Sequence, residues 1–378
     1  MIITVFSFVT SLLLFNIYIF LIAVIRPRNI FLFRFGIIPV VLLITACIFR
    51  LIFFVELPFS KILRSEVIYP AILDFFTAEI MGIHVYELLI AVWIIGSIYN
   101  LQKYIRQLIF LNKLAGSLME TQDKRIISCM DEIMAESGKT SEVKIIQCNE
   151  IAVPMIAGFF KPVIFLPYTD FSDIDLKNIL THEWTHFLHR DAWTKLLVSV
   201  ISIVFWWNPF MPVLKNELNQ TIELRCDLSV ISRMEHEDRL IYLESIIKII
   251  KYANNNNLHK LRSTAGSTPF VAVKRDENIL QRFSVVSNYD TCKRRNIFSS
   301  AVVCTLIVLS FVASYGVVLQ PAHFTPEVTE NEDVFKMNTE TSYLILNDDS
   351  TYSLYIDNKF IATVDNRETE LLSSLPVK

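Results

Sequence analysis

Charge is scarce in this chain. Charged side chains make up 19% of its 378 residues and hydrophobic ones 53%, with a mean hydropathy of +0.43. That balance excludes a wholly soluble protein, because the apolar excess must be buried in something other than a core. Cysteine is also scarce. Of six, Cys47 and Cys304 lie in apolar stretches, Cys129, Cys148, Cys226 and Cys292 lie between them, and the C-terminal tail has none, so no disulfide framework is expected. No internal repeat is present, and the sole low-complexity tract is four asparagines at 254–257. No basic recognition module accompanies the net charge of −3, which argues against direct nucleic-acid binding. The first 25 residues lack a basic start and a small-residue cleavage pattern before Arg26, so they read as a retained span rather than a leader.

Three nearly uncharged stretches, 1–25, 35–55 and 298–318, have the roughly 17–25 residues that a bilayer requires. A fourth, 78–98, carries Glu79, His84 and Glu87 but is otherwise apolar. Four transmembrane helices are therefore expected. Arg26, Arg28 and Arg34, then Lys103, Arg106 and Lys113, then Lys293, Arg294 and Arg295 flank these spans and mark the cytoplasmic side. On that topology the N-terminus and the tail from residue 319 lie outside, and 99–297 is a cytoplasmic domain. From Gln320 onward eleven acidic side chains face four basic ones, a charge of −7 against +4 for the rest. His84 and Glu87 are costly in lipid, and Arg50 is the expected partner.

The cytoplasmic region suits an α+β fold. Residues 102–137 form helices stopped by Gly138, and 142–148, 151–157 and 162–166 form short strands. Ser172 with Asp175 makes a capping box opening a helix to about residue 190, and 216–234 and 238–252 are further helices. In the tail, 343–346, 352–356 and 360–364 suit a small β-meander, with an unfolded stub as the alternative.

The chemistry concentrates at His182-Glu183-Trp184-Thr185-His186, an H-E-x-x-H motif on an expected helix. Imidazoles at i and i+4 project from one face, close enough to share one Zn²⁺, and Glu183 can reach the water on the metal as general base. An open zinc site needs a third ligand. Glu223 and Asp227, at i and i+4 on another helix, suit a pair in which Glu223 binds metal and Asp227 fixes a ligating histidine. Alone they equally suit a solvated face beside Arg225. Between the helices lies 196–214, nineteen uncharged residues. If this segment crossed the bilayer, Glu223 would stand roughly 30 Å from His182. Either Glu223 is no ligand, or the segment enters the membrane surface and returns. Trp206-Trp207-Asn208-Pro209 and Pro212 favour return.

The run Val153-Pro154, Gly158 and 162–167, followed by H-E-x-x-H, Arg190-Asp191, Trp206-Trp207-Asn208-Pro209 and Glu223-Leu224-Arg225-Cys226-Asp227, resembles the BlaR/MecR family of bacterial membrane metallopeptidases. The resemblance implies a thermolysin-like (gluzincin) zinc endopeptidase in the cell membrane, with His182, His186 and Glu223 as ligands, Glu183 as base and Asp227 behind them. It further implies cleavage of a cytoplasmic or membrane-proximal regulator such as a repressor, with self-cleavage within 274–295 as an extension. The tail lacks the S-x-x-K of a penicillin-binding sensor, so β-lactam acylation is not expected.

Beyond this set, His189 is expected to pack at a helix end, Asp191 to cap or pair locally, and Cys226 to be a buried thiol. An edge within 153–166 is expected to align extended peptide by strand addition. A homodimer is compatible with the sequence. The competing expectation is a receptor or scaffold whose zinc is structural.

Overall fold

The computed structural model describes residues 4–58, 60–65, 75–80, 82–149, 151, 153–255, 275–290, 297–321, 342–347, 351–356, 359–364 and 375–377. The chain divides into two units, Met1–Pro321 and Ala322–Lys378.

In the first unit, α1 (Val5–Ile25) is opened by a Thr4–Ser7 capping box. It is followed by α2 (Asn29–Phe35) and α3 (Ile38–Ile52), which are bent by 103° at their break. Gly36 permits that break with a φ of 78°. The helix α4 (Val85–Ser117) and α1 are long and apolar enough to cross a bilayer, and α2 with α3 qualifies only as a broken pair. A shorter apolar helix, α11 (Ile297–Ala313), comes last among the described helices. The 35–55 stretch is thus broken after Phe35 and continues as helix over Ile38–Ile52, about 22 Å at 1.5 Å per residue. The 78–98 stretch is not one helix either. Residues Glu79–Ile80 (β2) and Ile83–His84 (β3) form a hairpin, and α4 starts only at Val85. Apolar composition spread a hydropathy signal across both. The expected Arg50 pairing is not formed: Arg50 bonds Ser11 Oγ and Ser314 O and lies 4.4 Å over the Tyr315 ring, while His84 sits 3.8 Å from Glu79. A polar niche between α1, α3 and the end of α11 takes both Nη groups of the guanidinium instead. Beside it, β1 (Lys61–Ser65) pairs in parallel with β7 (Val317–Pro321).

The region carrying the H-E-x-x-H sequence follows α4. An aspartate-capped α5 (Lys124–Ser137) ends at left-handed Gly138, as its glycine stop predicts. Strands β4 (Lys144–Gln147), β5 (Met155–Ala157) and β6 (Val163–Leu166) form a sheet of order β4-β6-β5, with β5 an antiparallel edge. Ser172 caps α6 (Asp173–Leu188) by accepting from the Asp175 amide. Leu176, Ile179, Leu180 and Trp184 of α6 bury against Ile126, Met130 and Ile133 of α5 and Ile164 and Leu166 of β6. One face of α6 is therefore fixed, and the motif histidines project from the stripe beside it, three and seven residues beyond Ile179.

The apolar 196–214 stretch folds back on itself. Helix α7 (Asp191–Val204) ends at a turn, and α8 (Phe210–Ile231) returns. The turn packs on α4 and α1. Trp93 Nε1 donates to Val204 O (2.7 Å), Trp206 Nε1 to Trp93 O (3.3 Å), and Asn208 Nδ2 to Asn16 Oδ1 (2.8 Å). Gly96 leaves the space Trp206 occupies, since a Cβ there would lie 2.3 Å from the indole. Asn16 is ten residues before Arg26 on α1, so the turn reaches about 15 Å along that helix. At the other end Arg26 pairs with Glu217 of α8. Two further helices, α9 (His236–Asn255) and α10 (Arg275–Ser287), pack beside α8.

In the second unit, β8 (Ser342–Leu346), β9 (Tyr352–Ile356) and β10 (Lys359–Val364) form an antiparallel meander of order β10-β9-β8. Leu344, Leu354 and Leu375 make its small core. The polar run after residue 255 and the 291–296 basic cluster lie outside the described residues.

Candidate metal centre

His182 and His186, one turn apart on α6, bring their Nε2 atoms to 3.1 Å. Each ring is held from behind through Nδ1. His182 Nδ1 lies 2.9 Å from Tyr242 Oη, and that hydroxyl is 2.7 Å from Asp227 Oδ1. A carboxylate only accepts, so the tyrosine proton goes to Asp227 and the hydroxyl accepts from His182 Nδ1–H. His186 Nδ1 likewise donates to Asp191 Oδ2 at 2.7 Å, while Arg225 holds the other oxygen of Asp191. Both rings thereby carry their proton on Nδ1 and turn an Nε2 lone pair toward the same point. Two lone pairs facing each other at this distance repel unless a positive charge lies between them.

Glu223 of α8 completes the triangle. Its Oε2 is 3.5 Å from His182 Nε2 and its Oε1 3.7 Å from His186 Nε2. Ligands about 2.0–2.1 Å from a tetrahedral zinc stand roughly 3.3–3.4 Å apart, so the residues present fit a small divalent cation. Proximity also groups Cys226 with the two histidines. Its sulfur meets His182 at Nδ1 (3.5 Å) and at the carbonyl (3.3 Å), and it also lies against His186. The two Nε2 atoms and the Glu223 carboxylate thus form one candidate donor set, with the Cys226 thiol beside the rings. Glu183 is buried beside His182, and among the described residues it pairs with no cation.

The turn into α7 explains how Asp191 gets there. Arg190 adopts a φ of 57°, alone among the described non-glycine residues with positive φ, and swings Asp191 back under His186. A left-handed residue of this type costs roughly 1–2 kcal/mol. The expected local pairing of Asp191 is met by His186, five residues back, while Arg225 reaches its other oxygen from α8. Asp227 lies 3.5 Å from His182 Nδ1 and reaches it through Tyr242 rather than directly. His189 contacts Ser229 Oγ at 3.3 Å. Tyr242 and Arg282 went unforeseen because each is a single residue remote in sequence, belonging to no spaced motif.

Electrostatics point the same way. Burial favours neutral imidazoles, but Cys226, Glu223 and Asp227 outweigh it at His182 and push its pKa well up. At His186 burial is overcome by Asp191, Cys226 and Glu223, and the pKa rises to about 10. Burial would raise the Glu223 pKa, yet Arg282 and the two histidines hold it well below the usual carboxylate range. The cage is anionic toward whatever sits between the rings.

A family profile described as BlaR1 peptidase M56 matches residues 63–275, which include every residue of this centre except Arg282. Regulatory protein BlaR1 of Bacillus licheniformis is 25% identical over 256 residues, covering 67% of this chain and 39% of that protein. The methicillin resistance mecR1 protein of Staphylococcus aureus (strain Mu50 / ATCC 700699) is 23% identical over 281 residues, 72% of this chain and 44% of that one. The matched region thus spans about two fifths of the length of these relatives. With more than half of its residues matched by the profile, the chain belongs to the BlaR1 peptidase M56 family, the BlaR/MecR-type metallopeptidases.

Proposed function

We propose that this protein is a membrane-embedded zinc endopeptidase of a signalling pathway, with His182, His186 and Glu223 as metal ligands and Glu183 as general base. The convergence of two Nδ1-anchored imidazoles and one carboxylate on a single point carries this reading. The three ligands would hold a zinc ion, which would supply Lewis acidity and a water of lowered pKa, toward ~7. Glu183 takes a proton from the attacking water and returns it to the leaving amine, so one water is consumed and two peptides are released. Tyr242 with Asp227, and Asp191 with Arg225, keep both rings in the required tautomer. The edge strand β5 beside α6 offers backbone groups to an extended substrate.

The substrate class is a cytoplasmic or membrane-proximal regulator, and this chain itself is a second candidate. The names of the similar proteins, a regulatory protein and a resistance protein, support a signalling setting. The basic flanks support a metal centre on the cytoplasmic side of the bacterial cell membrane and a C-terminal tail outside. The turn at residues 205–209 then enters the bilayer from the inner face, with Trp206 and Trp207 exposed at its tip.

A second reading is a receptor with a structural site, favoured by the closeness of Cys226 to both histidines. Glu183→Gln separates the two. The enzyme reading expects wild-type zinc content and no peptide products from the variant in membranes; unchanged cleavage by Glu183→Gln overturns it.

A further inference from the structure

Arg282 is the one member of the cluster outside residues 63–275, and its contacts differ from those of a simple counterion. Its guanidinium forks onto Asp227, with Nε 2.7 Å from Oδ2 and Nη2 2.8 Å from Oδ1. The remaining Nη1 reaches Glu223 Oε2 at 3.1 Å. One planar cation thus ties together two carboxylates a turn apart on α8, an arrangement that a single ammonium does not reproduce. Without it, Asp227 would be a wholly buried charge facing a like charge one turn away.

The neighbouring residue points elsewhere. Gln281 Oε1 accepts from Arg26 Nη1 at 2.6 Å and its Nε2 donates to Arg26 O at 3.0 Å. Three residues on, Ser284 Oγ accepts from Asn29 Nδ2 at 3.2 Å. Helix α10 therefore grips the inner end of α1 with one face and the candidate ligand Glu223 with another. Any displacement of α10 against α1 moves the guanidinium relative to Glu223.

We propose that Arg282 is a positioning residue: it holds Glu223 in place for the metal, and its hold depends on the seating of α10 against the end of α1 through Gln281. This inference rests on the metal reading above and adds the route by which the membrane helices reach the centre. Glu223 keeps Oε1 turned toward His186 while Oε2 is occupied by the arginine, so the guanidinium orients the carboxylate and leaves it an oxygen for the cation.

The test is zinc affinity, measured by competition with a chromophoric chelator on the full chain in lipid nanodiscs. Arg282→Gln is expected to weaken zinc binding about ten- to a hundredfold, as loss of an outer partner of a ligand does. Since that variant leaves Asp227 unpaired and can misfold, the decisive comparison is Asp227→Asn against Asp227→Asn with Arg282→Gln. The double variant is expected to bind about tenfold more weakly than Asp227→Asn alone. Gln281→Ala, which removes no contact to the centre, is expected to weaken binding several-fold. Equal affinities in the Asp227→Asn pair would overturn the positioning role, and wild-type affinity in Gln281→Ala would overturn the dependence on seating. A wild-type chain that takes up no zinc would sink the metal reading itself, which separates the two failures.

Discussion

Replacing Tyr242 by Phe removes one oxygen from the chain His182–Tyr242–Asp227 and leaves everything else in place. The ring is fully buried, so no water replaces the hydroxyl at little cost. His182 Nδ1–H loses its acceptor at 2.9 Å, Asp227 Oδ1 at 3.5 Å is beyond good hydrogen-bond reach, and only the weakly accepting Cys226 Sγ at 3.5 Å remains. Asp227 keeps both bonds from Arg282, so the penalty falls on the imidazole. An unsatisfied buried donor costs about 1–3 kcal/mol, and removal of an outer partner from a ligating histidine typically costs ten- to a hundredfold in metal affinity. The two ranges overlap at roughly 1.4–2.7 kcal/mol. Chelator competition on Tyr242→Phe in nanodiscs should therefore report at least a tenfold loss of zinc affinity. An affinity within about twofold of wild type would refute the tautomer argument, because His182 would then need no anchor at Nδ1.

Other consequences follow from single contacts. Gly96→Ala puts a methyl group into the Trp206 indole, and a shifted tryptophan emission with a lower melting temperature is expected; an unchanged spectrum would contradict the packing of the 205–209 turn on α4. Asp175 is pushed up by burial, but Ser172, Ser245 and Lys248 more than offset this and hold its pKa below the usual range. A depressed folded pKa stabilises above the unfolded value of about 3.9 and loses that contribution as pH falls through the folded one. Asp175→Asn should thus lower the melting temperature at neutral pH, with the gap closing below about pH 4; a pH-independent gap would refute the assignment. Cys226→Ser should leave zinc content intact whereas Glu223→Gln should reduce it, and the opposite pattern in metal analysis would exchange their roles.

Much of the centre could be read from spacing alone. His182, Glu183 and His186 need only the i, i+4 geometry of one helix, and Glu223 and Asp227 repeat that geometry on another. The return of the 196–214 segment followed from prolines and tryptophans that make a straight span unfavourable, and α7 and α8 do turn at Pro209. What the sequence hid depends on contacts between remote elements. Tyr242 and Arg282 belong to no spaced motif, and only the packing of α9 and α10 beside α8 brings them to Asp227. Asp191 required the left-handed Arg190, which no composition rule anticipates. The 78–98 stretch misled because hydropathy averages over a hairpin and a helix start without marking the boundary at Val85.

The ligand set is the claim on which the rest stands, and X-ray absorption at the zinc edge of the metal-loaded full chain tests it directly. The account predicts a first coordination sphere of nitrogen and oxygen at about 2.0–2.2 Å, with the multiple-scattering signature of two imidazoles. A sulfur scatterer at about 2.3 Å would contradict it, putting Cys226 in the place given to Glu223.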